Sequence, residues 1–198
     1  MKKIIIAIVG RSGSGKDTLI HAASETYSIP IVSSYTDRPM RPNEHNGVEH
    51  IFLSKEQMDK IVANKSNLLA YTQIGKTGYR YCVTKSNVNS LPGDMVFYTL
   101  DPNGVKYLKE HCPEYEIRVV SVQADYHIRK LRAITRNGEE SAFLKRTKDE
   151  NAQFDIFEHN ENNYEFLVKN NTTLQEAVSE FLTILESIIC ENEKETIR

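Results

Sequence analysis

The most specific chemistry in this chain sits in seven residues near its start, Gly10-Arg11-Ser12-Gly13-Ser14-Gly15-Lys16. The spacing G-x-x-x-x-G-K is that of a loop whose backbone N–H groups surround a polyphosphate. Glycines let those N–H groups turn inward, and the N-terminus of a following helix adds its dipole. The lysine supplies a mobile positive charge. Asp17 and Thr18 come next, where such loops usually place a hydroxyl for Mg²⁺. The carboxylate admits two readings: Asp17 stabilises the first turn of the helix, or it holds Mg²⁺ through water while Thr18 contacts the nucleotide. Gly10 through Thr18 are therefore the expected ATP-binding residues, and Lys16 the expected catalytic cation.

A second anion site is suggested by Ser34-Tyr-Thr-Asp-Arg38-Pro-Met-Arg41. Two arginines three apart in a proline-stiffened loop can clamp a phosphate, because guanidinium forks bind its oxygens in pairs. Taken alone, the same pair also reads as two solvated surface arginines.

These residues need a frame. Residues 4–9 are a continuous apolar run rich in isoleucine, which suits a strand buried on both faces of a parallel sheet. Further strands are expected at 29–33, 51–53, 71–74, 79–84, 95–100, 117–122 and 166–169, with a hairpin-like turn at 75–78. Helices are expected over 18–27, 104–111, 126–135, 141–154 and 173–190. Another starts after Ser54, whose hydroxyl and Gln57 form a capping box. The charged tail 191–198 reads as frayed. Strands alternating with helices predict an α/β fold around a mostly parallel sheet, with an antiparallel insertion.

Composition narrows the setting. A chain of 198 residues with 39% hydrophobic and 26% charged content can bury a core of its own. A net charge of −2 gives no reason to expect nucleic acid or an anionic membrane as partner. The first apolar run is too short for a signal peptide and ends in Gly-Arg, and no segment has the length of a membrane span. Cys82, Cys112 and Cys190 match no metal spacing and read as reduced thiols. A cytoplasmic protein, monomer or homodimer, is expected.

Ser34, Thr36, Arg38, Arg41, Glu44 and Gly47 reproduce S-x-T-x-R-x-x-R-x-x-E-x-x-G, and in this the chain resembles guanylate kinases. Residues 48–54 look like that family's Y-x-F-x-S strand, with His50 in place of tyrosine. Residues 78–81 are similar to its G-x-Y-Y turn, and residues 101–105 to its D-x-x-G-V. Arg132, Arg136 and Arg146 resemble its lid arginines. The resemblance runs in order along essentially the whole chain. It implies an ATP- and Mg²⁺-dependent kinase of a P-loop fold. The core would be 1–33, 91–130 and 155–198, the acceptor-binding insertion 34–90, and the lid 131–154. Arg38, Arg41, His50 and Tyr81 would hold the phosphate of a small acceptor, and Ser34 and Asp101 would help place it. Lys16, Arg132, Arg136 and Arg146 would neutralise the charge on the transferred group.

Two departures bear on the acceptor. Ala70 and Thr99 stand where the family has acidic residues, the first of which reads the guanine edge. GMP is the leading acceptor by resemblance. Kinases of ribose 1,5-bisphosphate also read Gly-Lys-Asp in the loop and resemble residues 67–70 and 50–51, which makes that base-free compound the alternative, alongside other nucleoside monophosphates. A binding module without catalysis is a third class, and the intact Lys16 and lid arginines argue against it.

Overall fold

The structure is a computed structural model that describes residues 2–41, 44–48, 50–73, 78–137 and 140–196. In chain order its elements are β1 (Lys3–Val9), α1 (Lys16–Tyr27), β2 (Tyr35–Thr36), β3 (Ile51–Phe52), α2 (Lys55–Ala63), β4 (Leu68–Gln73), β5 (Arg80–Thr84), α3 (Lys85–Ser90), β6 (Met95–Leu100), α4 (Pro102–His111), β7 (Tyr115–Gln123), α5 (Tyr126–Asn137), α6 (Glu140–Glu158), β8 (Phe166–Lys169) and α7 (Leu174–Thr196).

The main sheet has the order β6-β1-β7-β8, and every pairing in it is parallel. Strand β1 runs through its middle, which is why its apolar run is unbroken. Alternate side chains of a strand face opposite ways. Ile4, Ile6 and Ile8 pack with Leu19 and Ile20 of α1 and Phe181 and Leu185 of α7. On the other face, Ile5 joins Leu69, Val88 and Leu108, while Ala7 and Val9 meet Val105, Phe154 and Phe157. The sheet is thus covered on both sides, and the carboxyl ends of β1, β7 and β8 point toward the loops that carry the chemistry. That is the end at which open α/β sheets bind ligands.

The smaller sheet has the order β3-β2-β5-β4, with β2 and β3 parallel and the other pairings antiparallel. Ser54 caps α2 with the expected reciprocal bonds to Gln57. Among the described residues, no helix is long and apolar enough to cross a membrane.

Three expectations are corrected. Residues 29–33 form no strand, only a single bridge between Ile31 and Phe97 of β6. Val32 N–H donates to the Phe97 carbonyl at 2.8 Å and Phe97 N–H to the Pro30 carbonyl at 2.9 Å, but Pro30 has no N–H with which to lengthen the ladder. Helix α7 runs on through Thr196 instead of fraying at 191, and Glu191 is bound by Arg118 at 2.8 Å. Helix α3 was not expected, because six residues are too few to show a helical period. Its start is nevertheless marked by Thr84, which accepts from Asn87 N–H. Of the expected turn at 75–78, residues 75–77 lie outside the described residues, as does residue 74 of the strand before it.

Candidate active site

The glycine-rich loop leaves β1 at Val9 and enters α1 at Lys16. Gly13 and Gly15 take φ of +81° and +90°, in the left-handed region that side chains avoid. Space is closed to them as well. A Cβ on Gly13 would lie 2.5 Å from the Arg129 carbonyl oxygen, and one on Gly15 would lie 2.3 Å from Asn170 Nδ2. Asn170, buried at the end of β8, donates from Nδ2 to the Ser14 carbonyl at 2.8 Å. Arg132 donates to that same carbonyl at 3.3 Å and to Asn170 Oδ1 at 3.1 Å. Asn170 and Arg132 therefore brace the loop, and both also line the cleft in front of it. Burial lowers the pKa of Arg132 from the ordinary guanidinium value. Asn170 was not among the expected site residues. A polar pair, Asn170-Asn171, at the carboxyl end of a core strand was the available signal.

Arg11 does not face a nucleotide with its side chain. Its guanidinium donates to Glu158 at 2.9 Å, Asn151 at 2.8 Å and Asp155 at 2.6 Å, all on α6, and lies 5.3 Å from the ring centre of Phe154. Only its backbone serves the loop, where its carbonyl accepts from Ser14 N–H at 3.0 Å. The expected ATP contact of Arg11 is corrected to that extent. Ser12 N–H donates to Glu150 of α6 at 3.1 Å.

Lys16, with Gly13, Gly15 and Thr18, faces a cleft of about 860 Å³. Arg132, Arg136 and Arg146 line the same cleft, and so does Arg41. All the expected catalytic cations thus converge, although they come from three helices. Among the described residues three carboxylates, Asp17, Glu44 and Glu150, share the space. Asp17 lies in the first turn of α1, with 59% of its side chain exposed and Oδ1 3.8 Å from Lys16 Nζ.

The expected anion clamp is built around Glu44. Arg38 is buried and donates to both Glu44 oxygens, at 2.7 and 2.5 Å, with its guanidinium 5.0 Å from the ring centre of Phe52. Arg41 N–H reaches Glu44 at 2.8 Å, while the Arg41 side chain is 63% exposed. Hydrogen bonds from Arg38, opposed by burial and helped by Arg41, hold the Glu44 carboxyl down at about 2. The two arginines therefore stand differently: Arg38 is engaged by Glu44, and Arg41 presents its charge to the cleft. Behind them, Asp37 accepts from Arg80 N–H and Nε at 2.7 and 2.6 Å, which ties the end of β2 to β5. Burial would raise the Asp37 pKa, but its bonds to Arg80 and the charge beside it bring it below the usual value.

Ser34, Tyr81 and Asp101 line a second pocket, of about 870 Å³, whose wall also includes Ala70 and Thr99. Ser34 Oγ lies 2.8 Å from His50 Nδ1, and the His50 ring packs edge-on against Tyr81 at 5.5 Å. Asp101 caps α4, accepting from Gly104 N–H at 2.7 Å. Of the residues expected to contact the acceptor, Ser34, Tyr81 and Asp101 line this pocket and Arg41 lines the phosphate cleft. Arg38 and His50 line neither and stand behind them, Arg38 on Glu44 and His50 on Ser34 and Tyr81.

A family model described as guanylate kinase matches residues 1–188. The chain belongs to the guanylate kinase family. As a member of that family it is a phosphotransferase, and the reading as a non-catalytic binding module receives no support. The guanylate kinase of Vibrio parahaemolyticus serotype O3:K6 is 25% identical over 200 residues, spanning 100% of this chain and 94% of that protein. The guanylate kinase of Streptomyces coelicolor is 33% identical over 113 residues, 56% of each chain. A solved guanylate kinase from Anaplasma phagocytophilum shares the fold with a TM-score of 0.60 at 16% identity, covering 94% of this chain and 86% of that one.

Proposed function

We propose that this guanylate kinase family member transfers the γ-phosphoryl group of ATP to the phosphate of GMP, giving ADP and GDP. The observation that carries the reading is that Arg41, from the acceptor clamp, faces the same cleft as Lys16 and the three arginines 132, 136 and 146. A donor polyphosphate and an acceptor phosphate are both anionic, and cations brought to one cleft from several elements offset the repulsion of holding them side by side.

The residues fit a nucleotide. Gly13 and Gly15 let the loop pack closely on Arg129 and Asn170 while lining the cleft beside Lys16, and a loop of this spacing turns its backbone N–H groups toward phosphate oxygens. Mg²⁺, when bound, would supply positive charge to offset that of the phosphates. Among the described residues no group of three or more His, Cys, Asp or Glu could hold a metal by itself. An ion carried on the nucleotide would fit this cleft, where Asp17 would hold it through water. Transfer needs no strong base. An acceptor phosphate oxygen attacks the γ phosphorus, the bond to the β-bridging oxygen breaks, and ADP leaves with the electron pair. Arg41 positions the acceptor, and Arg132, Arg136 and Arg146 neutralise the charge that spreads over the moving group. Residues 131–154 act as the lid that excludes water, so that the acceptor and not water is phosphorylated.

A second acceptor is favoured by one feature. The pocket wall has a methyl group at Ala70 and a hydroxyl at Thr99, and Asp101, the only Asp or Glu among the described residues that line it, already caps a helix. A base-free acceptor, ribose 1,5-bisphosphate, has no base edge whose donors would be left unpaired there. ADP release measured in parallel with GMP, IMP, AMP and ribose 1,5-bisphosphate separates the two. The highest kcat/KM is expected with GMP; a clear preference for ribose 1,5-bisphosphate would transfer the assignment to the sugar.

A further inference from the structure

The Ser12 N–H belongs to the loop that receives the donor's phosphates, yet it is already bonded to the Glu150 carboxylate at 3.1 Å. A carboxylate and a phosphate brought to the same N–H repel each other and would each be left with a weakened bond, so the two anions compete for it. Glu150 also lines the phosphate cleft itself, on the same wall as Arg146. The two are four residues apart in α6 and so lie one turn apart on one helical face. The rest of the α6 attachment is different in kind. Arg11 holds Asn151, Asp155 and Glu158, and none of these three lines the cleft.

We propose that Glu150 is a placeholder for a donor phosphate: in the nucleotide-free enzyme its carboxylate occupies a phosphate-loop amide, and the incoming nucleotide must displace it. Displacement takes a negative charge off the loop and leaves Arg146, one turn earlier, as the nearest group of α6 to the phosphates. The Arg11 bonds, outside the cleft, keep the second half of α6 attached while this happens. Glu150 is thus a positioning residue that ties the approach of the helix to the presence of the donor. The proposal rests on the donor half of the function above and is independent of the acceptor.

The test is calorimetric titration of Mg·ATP, without acceptor, into the wild type, Glu150→Gln and Glu150→Ala, with thermal melting of each. Glu150→Ala no longer competes for the amide and Glu150→Gln competes only through a neutral, weaker acceptor oxygen, so both should bind ATP more tightly, Glu150→Ala on the order of tenfold and Glu150→Gln by a smaller factor. A residue that merely held α6 in place would give the opposite sign, since its loss would loosen the cleft. ATP affinity that is unchanged or weaker in both variants overturns the proposal, as does failure of the wild type and variants alike to bind ATP. If Glu150→Ala melts too low to titrate, Glu150→Gln decides by the same criterion, because its amide keeps the size of the side chain. ATP binding in which only the acceptor panel fails would leave this proposal standing and remove the GMP assignment.

Discussion

Replacing Glu44 by glutamine should destabilise the protein in a way that depends on pH with a definite sign. Glu44 accepts from both terminal nitrogens of buried Arg38 and from Arg41 N–H. Its carboxyl titrates at about 2, against an ordinary 4.5. Because the folded value is the lower one, the stabilisation is complete above 4.5 and is lost as pH falls toward 2. The difference corresponds to about 3 kcal/mol, which solvent screening at the loop surface reduces to about 2 kcal/mol. The amide of Glu44→Gln can accept through its oxygen only, and its NH₂ would confront a guanidinium that has nothing to accept with. Urea unfolding at about pH 7 should therefore show a loss of about 2 kcal/mol with an unchanged m-value. At about pH 3 the gap between the two proteins should shrink to less than half, because the wild type has by then lost most of its own advantage. A gap that stays constant with pH, or no loss at neutral pH, would refute the claim that a charged Glu44 holds the clamp.

Other consequences are equally open to measurement. Lys16→Met should reduce kcat on the order of 1,000-fold while leaving the melting temperature near that of the wild type; near-normal turnover would remove Lys16 from the mechanism. Arg41→Ala should lower kcat/KM for the acceptor about tenfold, some 1.4 kcal/mol, with ATP affinity barely changed; an equal fall in ATP affinity would place Arg41 on the donor instead. Gly13→Ala and Gly93→Ala form a matched pair, since both glycines have positive φ, +81° and +72°, but only Gly13 has a backbone oxygen in the way. Gly93→Ala should cost about 1 kcal/mol with activity intact. Gly13→Ala should cost more and lower kcat, and equal effects in unfolding and activity assays would show the contact with Arg129 to be unimportant.

What could be read in the sequence was local, and what could not was long-range. The phosphate loop was legible because its backbone demands, two left-handed glycines and a lysine at the helix start, fall within seven residues. The buried run of β1 was legible because a strand covered on both faces needs no alternation. The capping box at Ser54 was equally local. The direction of the Arg11 side chain was not, since its partners lie about 140 residues later on α6. The same holds for Asn170, which reaches back 156 residues to Ser14, and for Glu150. Arg38 and Glu44 were both visible in the motif, but pattern alone cannot tell that one arginine is filled by the glutamate and the other left facing the cleft. The failed strand at 29–33 is a case of local information given too little weight, because Pro30 was present in the sequence.

Group transfer itself is the claim on which the account turns. Wild-type protein incubated with Mg²⁺, GMP and ATP labelled in the γ-phosphate should give labelled GDP and unlabelled ADP in equal amounts, and little free phosphate. Label that appears as free phosphate, or ADP formed at the same rate whether GMP is present or absent, would contradict it.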